Sequence, residues 1–320
     1  MIRWGLLAVC VMCVPMVAMA GDAADIRRYL TPPEYGNAPH KYVLKMMGDG
    51  RVKCTSNLVN GKFVTAKHCL NNYTNKTCTN DMVAEVYEFQ SLSGDSVTAK
   101  LIECGGYDGT GGTLAGDWAI LEPVGESNSE LVTVCDNIDN GDTIVMTGFG
   151  KLKVLTSDDV QNYIHAYLRF LFDAQTGRPM GTSRDANVDE LYQRGQASKK
   201  GVQEVRSPGD GAMCATDFMD NASAYGIDVD AWFDNSEPKT RKCSVASTND
   251  GGDMRWLQDC NAWMGDSGAG VWKDMGDGNY CFAGVLSQSK DHVGGTNSIG
   301  RGSIQFVPVT VFQSSLQNDT

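Results

Sequence analysis

The chain has 320 residues, with 27 Lys and Arg against 39 Asp and Glu, giving a formal net charge of −12. That excess of acid argues against nucleic-acid and anionic-membrane binding, because both need a basic face to meet phosphate. Hydrophobic residues make up 42% of the chain, enough for one large packed domain or two smaller ones.

Residues 1–20 read as an export leader: Arg3, an apolar run from Leu6 to Val17, then the small-residue site Ala18-Met19-Ala20 before Gly21. The run is short for a membrane anchor and no basic stop-transfer cluster follows it, so no span is expected after leader removal. A secreted or periplasmic chain starting at Gly21 keeps nine of the 11 cysteines, at 54, 69, 78, 104, 135, 214, 243, 260 and 281. Without zinc-type Cys and His spacing these read as disulfides, and no metal is expected. Nine is odd, which leaves one thiol free or paired between chains. The sequons at Asn72, Asn75 and Asn221 matter only in a eukaryotic secretory pathway.

Four histidines follow in order. His40 sits beside Pro39 in an N-terminal turn, His165 falls in a helical pattern, and His292 lies in a polar, glycine-rich stretch. His68 closes Phe63-Val64-Thr65-Ala66-Lys67-His68-Cys69, an apolar strand with a cysteine directly after the imidazole. Strand patterns recur at Val83–Phe89 and Val97–Leu101. The glycine-rich stretch from Gly105 to Gly116 lacks the Gly-Lys-Ser/Thr end of a phosphate loop, so no cofactor is expected. Asp117 heads the apolar run Trp118-Ala119-Ile120-Leu121, which reads as a buried strand. Thr143–Thr147 and Val202–Val205 are further strand candidates. Between them Val160, Tyr163, Ile164, Tyr167, Leu168 and Leu171 recur at helical spacing after Ser157, a candidate N-cap.

Near the C-terminus stands Gly265-Asp266-Ser267-Gly268-Ala269-Gly270. Glycines flanking a serine let the backbone turn tightly around the hydroxyl, exposing Oγ while neighbouring N–H groups converge. A serine nucleophile needs an imidazole to take its proton and a carboxylate to fix that imidazole's tautomer. His68 and Asp117 are the candidates for those roles.

Together the three segments resemble the trypsin-like, chymotrypsin-fold serine proteases. Thr65-Ala66-Lys67-His68-Cys69 is similar to that family's Thr-Ala-Ala-His-Cys, Asp117-Trp118-Ala119-Ile120-Leu121 to its Asp-Ile-Ala-Leu-Leu, and Gly265-Asp266-Ser267-Gly268 matches it directly. The order His, Asp, Ser is the one this family uses. Thr147-Gly148-Phe149-Gly150 is similar to its Ser-Gly-Trp-Gly, and Phe282–Ser287 to the strand after its nucleophile. The resemblance implies an all-β fold of two antiparallel six-stranded β-barrels. Residues 21–38 would be an N-terminal segment, 39–140 the first barrel and 141–320 the second, with a helical insertion at about 151–200. It also implies a catalytic triad of His68, Asp117 and Ser267, an oxyanion hole from the N–H groups of Gly265 and Ser267, a Cys54–Cys69 disulfide, and a protein or peptide substrate. Ser287 would support Asp117 and, with Ser289, line the primary pocket over Asn261. The short leader and the Gly-Asp-Ser-Gly-Ala-Gly variant point to a bacterial member.

Departures from the family carry their own expectations. The span from Gly150 to Ser267 is roughly twice what such proteases use, and the inserted helix is a candidate substrate contact or gate. No Ile-Val-Gly-Gly motif exists to supply the amino terminus that supports Asp266 after activation. Ile26 stands at a suitable distance, but Arg27 and Arg28 follow where small residues are expected, so another group must support Asp266 or activation must differ. A neutral Asn261 predicts weak cleavage after Lys or Arg. The cysteine expected just before Trp263 is displaced to Cys260. The rival readings are a non-catalytic binding protein on the same fold and a processing protease that uses the insertion as an exosite.

Overall fold

The computed structural model describes residues 26–71, 78, 80–107, 114–125, 130–156, 221–228, 230–232, 237–246, 254–290 and 302–317, with scattered positions between 158 and 182. The leader, Cys214, His292 and the strand candidate at 202–205 lie outside the described residues.

Among the described residues thirteen strands carry the fold. β1 is Arg28–Tyr29, β2 Val43–Gly48, β3 Arg51–Val59, β4 Lys62–Thr65, β5 Val86–Ser91, β6 Ser96–Cys104 and β7 Ala119–Pro123. β8 is Thr143–Gly148, β9 Lys239–Val245, β10 Arg255–Cys260, β11 Gly270–Gly276, β12 Asn279–Lys290 and β13 Gly302–Pro308. Strands β2-β3-β4-β7-β6-β5 close one antiparallel barrel. The second sheet runs β9-β10-β13-β12-β11-β8, and pairing of β8 with β9 closes it into another six-stranded barrel. Two closed six-stranded antiparallel barrels are the chymotrypsin-like fold that the motifs implied.

Each barrel has its own apolar filling. Phe63, Phe89, Leu101 and Leu121 fill the first, with Phe63 edge-on to Phe89 at 4.8 Å between ring centroids. Ile144, Met146, Leu257, Val271 and Phe306 fill the second. A third cluster joins the barrels: Val64, Trp118 and Ile120 meet Trp272, Phe282, Val307 and Phe312, and Trp118 stacks on Phe312 at 5.2 Å. Each such side chain contributes about 1.5–3 kcal/mol on burial, so this seam holds the cleft walls in fixed relation. Phe312 precedes a closing helix, Gln313–Gln317, whose Ser315 carbonyl accepts from Lys62 Nζ of β4 at 3.1 Å.

The expected strand at Val83–Phe89 is split. Asn80–Ala84 is helical and β5 begins at Val86, because Met82 turns into the first core while Val83 remains exposed. The connection from β8 to β9 occupies 149–238, longer than the insertion expected at 151–200. Asp158, Asp159, Asn162, His165, Ala166, Arg169, Phe170 and Asp173 within it are helical. The apolar stripe read from Val160 to Leu171 falls on positions outside the described residues. Buried Asp173 accepts from Tyr225 Oη at 3.0 Å and from Thr182 N at 3.1 Å, and burial helps push the Tyr225 phenol up to about 12. Among the described residues no helix is long and apolar enough to cross a membrane.

Candidate active site

His68 is presented by the short turn Lys67–Cys69 directly after β4, and the Cys54–Cys69 disulfide staples that turn to β3. Asp117 sits just before β7, which pairs with β4 through Thr65↔Ala119. The ladder therefore brings the carboxylate to the imidazole. Buried Asp117 accepts from His68 N through Oδ1 at 2.9 Å and from His68 Nδ1 through Oδ2 at 2.8 Å. Asp117 thereby fixes both the backbone and the ring of His68. With Nδ1–H donating to the carboxylate, Nε2 is the basic nitrogen of the neutral ring. Ser287 on β12 donates its hydroxyl to Asp117 Oδ2 at 2.5 Å, a short charge-assisted bond that crosses from the second barrel to the first.

Ser267 lies in the loop between β10 and β11, and β3 of the other barrel holds that loop in place. Thr55 N donates to Ser267 O at 2.9 Å, and Thr55 Oγ1 donates to Gly265 O at 2.8 Å. Asn57 binds Gly268 O at 2.8 Å and receives Gly270 N at 2.9 Å. Gly268 has φ +78°, and an added Cβ would collide with Thr65 Oγ1 and the Thr55 carbonyl, so only glycine lets the nucleophile loop approach β3 this closely.

The Met264–Gly265 and Asp266–Ser267 peptides are locked at their carbonyl ends. Met264 O accepts from Lys151 N at 2.7 Å, and Asp266 O accepts from Ala269 N at 2.8 Å. In a trans peptide the N–H points opposite to the C=O, so Gly265 N–H and Ser267 N–H are directed away from those bonds. Gly265 takes φ +99° in doing so, and a Cβ there would crowd the Phe149 carbonyl. Where two such N–H groups converge beside a serine they can stabilise developing negative charge on an acyl oxygen.

Asp266 is buried behind the loop. Its Oδ1 accepts from Gly150 N at 2.9 Å, its Oδ2 from Trp263 N at 3.0 Å, and Arg241 Nη2 on β9 stands 3.3 Å from Oδ2. Both side chains of this ion pair are out of solvent. A side-chain guanidinium thus meets the charge for which no amino terminus was legible in the sequence.

Asn261 is buried six residues before Ser267, while the side chain of Ser289 lies outside the described residues. Cys260 is not a displaced partner of the nucleophile loop: it bonds Cys243 across β9 and β10. Cys78–Cys104 and Cys135–Cys281 complete four disulfides among the described residues, which account for every cysteine from Cys54 onward except Cys214. Cys54, His68 and Cys69 lie close enough for a metal cluster, but the two sulfurs are bonded to each other and neither is a thiolate ligand. Thr55, Asn57, Lys151 and Arg241 were not read as functional from the sequence.

No protein-family model and no curated protein matches the chain. Solved structures do. Human heparin binding protein is 12% identical at a TM-score of 0.49, covering 92% of this chain and 97% of that one. Neuropsin, a serine protease of mouse brain, is 12% identical at 0.48, covering 91% and 99%. The protease Anisep from Arthrobacter nicotinovorans is 14% identical at 0.43, covering 85% and 91%. The fold assignment above stands on this chain's own strand pairing.

Proposed function

We propose that the protein is an exported serine endopeptidase. Ser267 Oγ attacks the scissile carbonyl, His68 takes the proton and returns it to the leaving amine, and Asp117 holds the imidazole in the required tautomer. Gly265 N–H and Ser267 N–H receive the oxyanion, and water then releases the acyl group through the same residues. The single observation that carries this reading is the double pairing of His68 with buried Asp117, N to Oδ1 at 2.9 Å and Nδ1 to Oδ2 at 2.8 Å, in a chain whose Ser267 loop is held on the same barrel by Thr55.

Arg241 removes the main reason for the non-catalytic alternative, because Asp266 is supported without chain cleavage. The leader and the four disulfides favour an oxidising compartment, either secreted or periplasmic. One observation favours the exosite form of this reading: within the 149–238 connection Lys153 N donates to Trp232 O at 2.8 Å, two residues from Lys151, whose N–H binds Met264 O of the nucleophile loop. A protein substrate docked on that connection would be sensed beside the nucleophile. Neutral Asn261 supports a small or polar residue before the scissile bond rather than Lys or Arg.

The test is labelling of the exported chain and its Ser267→Ala variant with a fluorophosphonate, read by intact mass. We expect one adduct on the unmodified chain, none on the variant, and no need for prior proteolysis. An unlabelled chain, before and after mild proteolysis, overturns the reading in favour of a binding protein.

A further inference from the structure

The strand ahead of the first barrel pairs with the second barrel. β1 pairs with β9 of the second, Arg28 opposite Thr240 and Tyr29 opposite Lys239, and Leu30 N continues the ladder to Pro238 O at 2.9 Å. Ile26 packs against the second core. Arg27 is buried, with Nη1 donating to Leu152 O at 3.1 Å and Nη2 to Lys153 O at 2.9 Å. Tyr29 Oη accepts from Val154 N at 3.2 Å. Lys239, opposite Tyr29 and fully buried, donates to Gly150 O at 3.1 Å.

The side-chain bonds of Arg27, Tyr29 and Lys239 all end on residues 150–154, and the same stretch holds the nucleophile loop. Gly150 N binds Asp266 Oδ1, and Lys151 N binds Met264 O, the carbonyl whose position directs Gly265 N–H. Residues 150–154 belong to no strand and carry an isolated bridge at Leu152, so much of their order must come from tertiary bonds, at a cost of about 1–2 kcal/mol for each residue ordered. A buried guanidinium bridging two consecutive carbonyls removes that freedom, since its planar fork allows little angular play.

We propose that residues 26–30 form an activation strap, in which Arg27 and Tyr29 are positioning residues that hold 150–154 and, through Lys151 and Gly150, aim the Gly265 N–H at the reacting centre. The strap does this with side chains and strand pairing, so it requires no newly cleaved amino terminus. It also means that the site can be switched off by pulling or clipping the chain ahead of Thr31, without touching His68, Asp117 or Ser267. This inference rests on the hydrolase reading for its chemistry but not for its structural step.

The experiment compares the exported chain with its Arg27→Ala, Arg27→Lys and Tyr29→Phe variants, with Arg28→Ala as control. Arg28 is exposed and paired with Glu34. Two readouts are taken: the rate of fluorophosphonate acylation, and deuterium exchange by segment. Arg27→Ala should slow acylation at least about tenfold and speed exchange at 150–154 and 263–268, while the first-barrel strands 43–48 and 51–59 stay protected. Tyr29→Phe should slow it roughly fivefold, Arg27→Lys should recover part of the loss, and Arg28→Ala should change neither readout. Unchanged acylation in Arg27→Ala, or faster exchange confined to 26–30 and 239–241, overturns the strap. Uniformly faster exchange across both barrels overturns it too, since that marks a merely structural role. If the unmodified chain takes no label, the hydrolase reading falls, and the strap is judged by exchange at 263–268 alone.

Discussion

Replacing Arg241 with methionine isolates the support of the nucleophile loop. The Asp266 carboxylate is buried, with one guanidinium at 3.3 Å and two backbone donors at 2.9 and 3.0 Å. Removing one partner of a buried ion pair costs about 3–5 kcal/mol, because a charge is left behind without compensation. The two remaining bonds to a charged acceptor retain about 1.5–3 kcal/mol each, so the loop should loosen rather than collapse, and we place the loss of stability near 3 kcal/mol. The same change shifts Trp263–Ser267 and so misaims Gly265 N–H. Losing one oxyanion donor lowers turnover by about 10²–10³ in enzymes that depend on it. Urea unfolding followed by tryptophan fluorescence measures the first quantity, and the rate of fluorophosphonate acylation the second. The double variant Arg241→Met with Asp266→Asn leaves no stranded charge and should recover about half of the stability loss. Acylation at the unmodified rate in Arg241→Met, with stability within about 0.5 kcal/mol, would refute the assignment of Arg241 as the support of the loop.

Three further outcomes follow from the same geometry. Ser287→Ala removes the 2.5 Å donor to Asp117 Oδ2 and should slow acylation about tenfold while the unfolding midpoint moves little, which a kinetic and thermal comparison reads directly. Gly268→Ala forces a side chain into φ +78° against β3 and should cost roughly 3 kcal/mol or more in urea unfolding; a loss under about 0.5 kcal/mol would mean the loop does not press on Thr55 and Thr65. His40 lies in the barrel seam with Nδ1 at 2.7 Å from Thr147 Oγ1, and burial holds its pKa below 6.5, opposed by Glu34 and aided by Arg28. A depressed folded value means stability is intact above 6.5 and is lost as pH falls from there through the folded value. A pH series of melts should show that loss, and His40→Gln should flatten it.

Much of this site was legible because its chemistry is local in sequence. Thr65–Cys69, Asp117–Leu121 and Gly265–Gly268 each combine a reactive group with the strand end or glycine turn that presents it, and the glycines at 265 and 268 do occupy positive φ. Cys54 with Cys69 was legible by resemblance, and Ser287 likewise. The split at Val83–Phe89 was not, because Met82 and Val83 are apolar neighbours whose faces are chosen by the tertiary core. The position of β9 was not legible, because it does not read as a strand. Lys239, Arg241 and Lys242 interrupt the apolar alternation that marks one, and two of the three are buried for the sake of partners far away in sequence.

That last point explains why the support of Asp266 could be posed as a question from sequence but not answered. The chain offers 27 Lys and Arg residues, and nothing in a one-dimensional pattern separates a cation that will face water from one that will be buried against a carboxylate. The separation is made by strand register. Pairing Lys242 with Val145 and Arg241 with Met146 places alternate side chains of β9 on opposite faces. Arg241 then enters the protein beside Asp266 while Lys242 reaches Asp274 at the surface. A shift of β9 by one residue would exchange the two, replacing the planar guanidinium beside Asp266 with the more strongly hydrated ammonium of Lys242. β1, by pairing Arg28 with Thr240 and Tyr29 with Lys239, pins that register from the outer edge. The strap and the buried ion pair are therefore parts of one arrangement, in which an edge strand sets the register that selects the cation supporting the nucleophile loop.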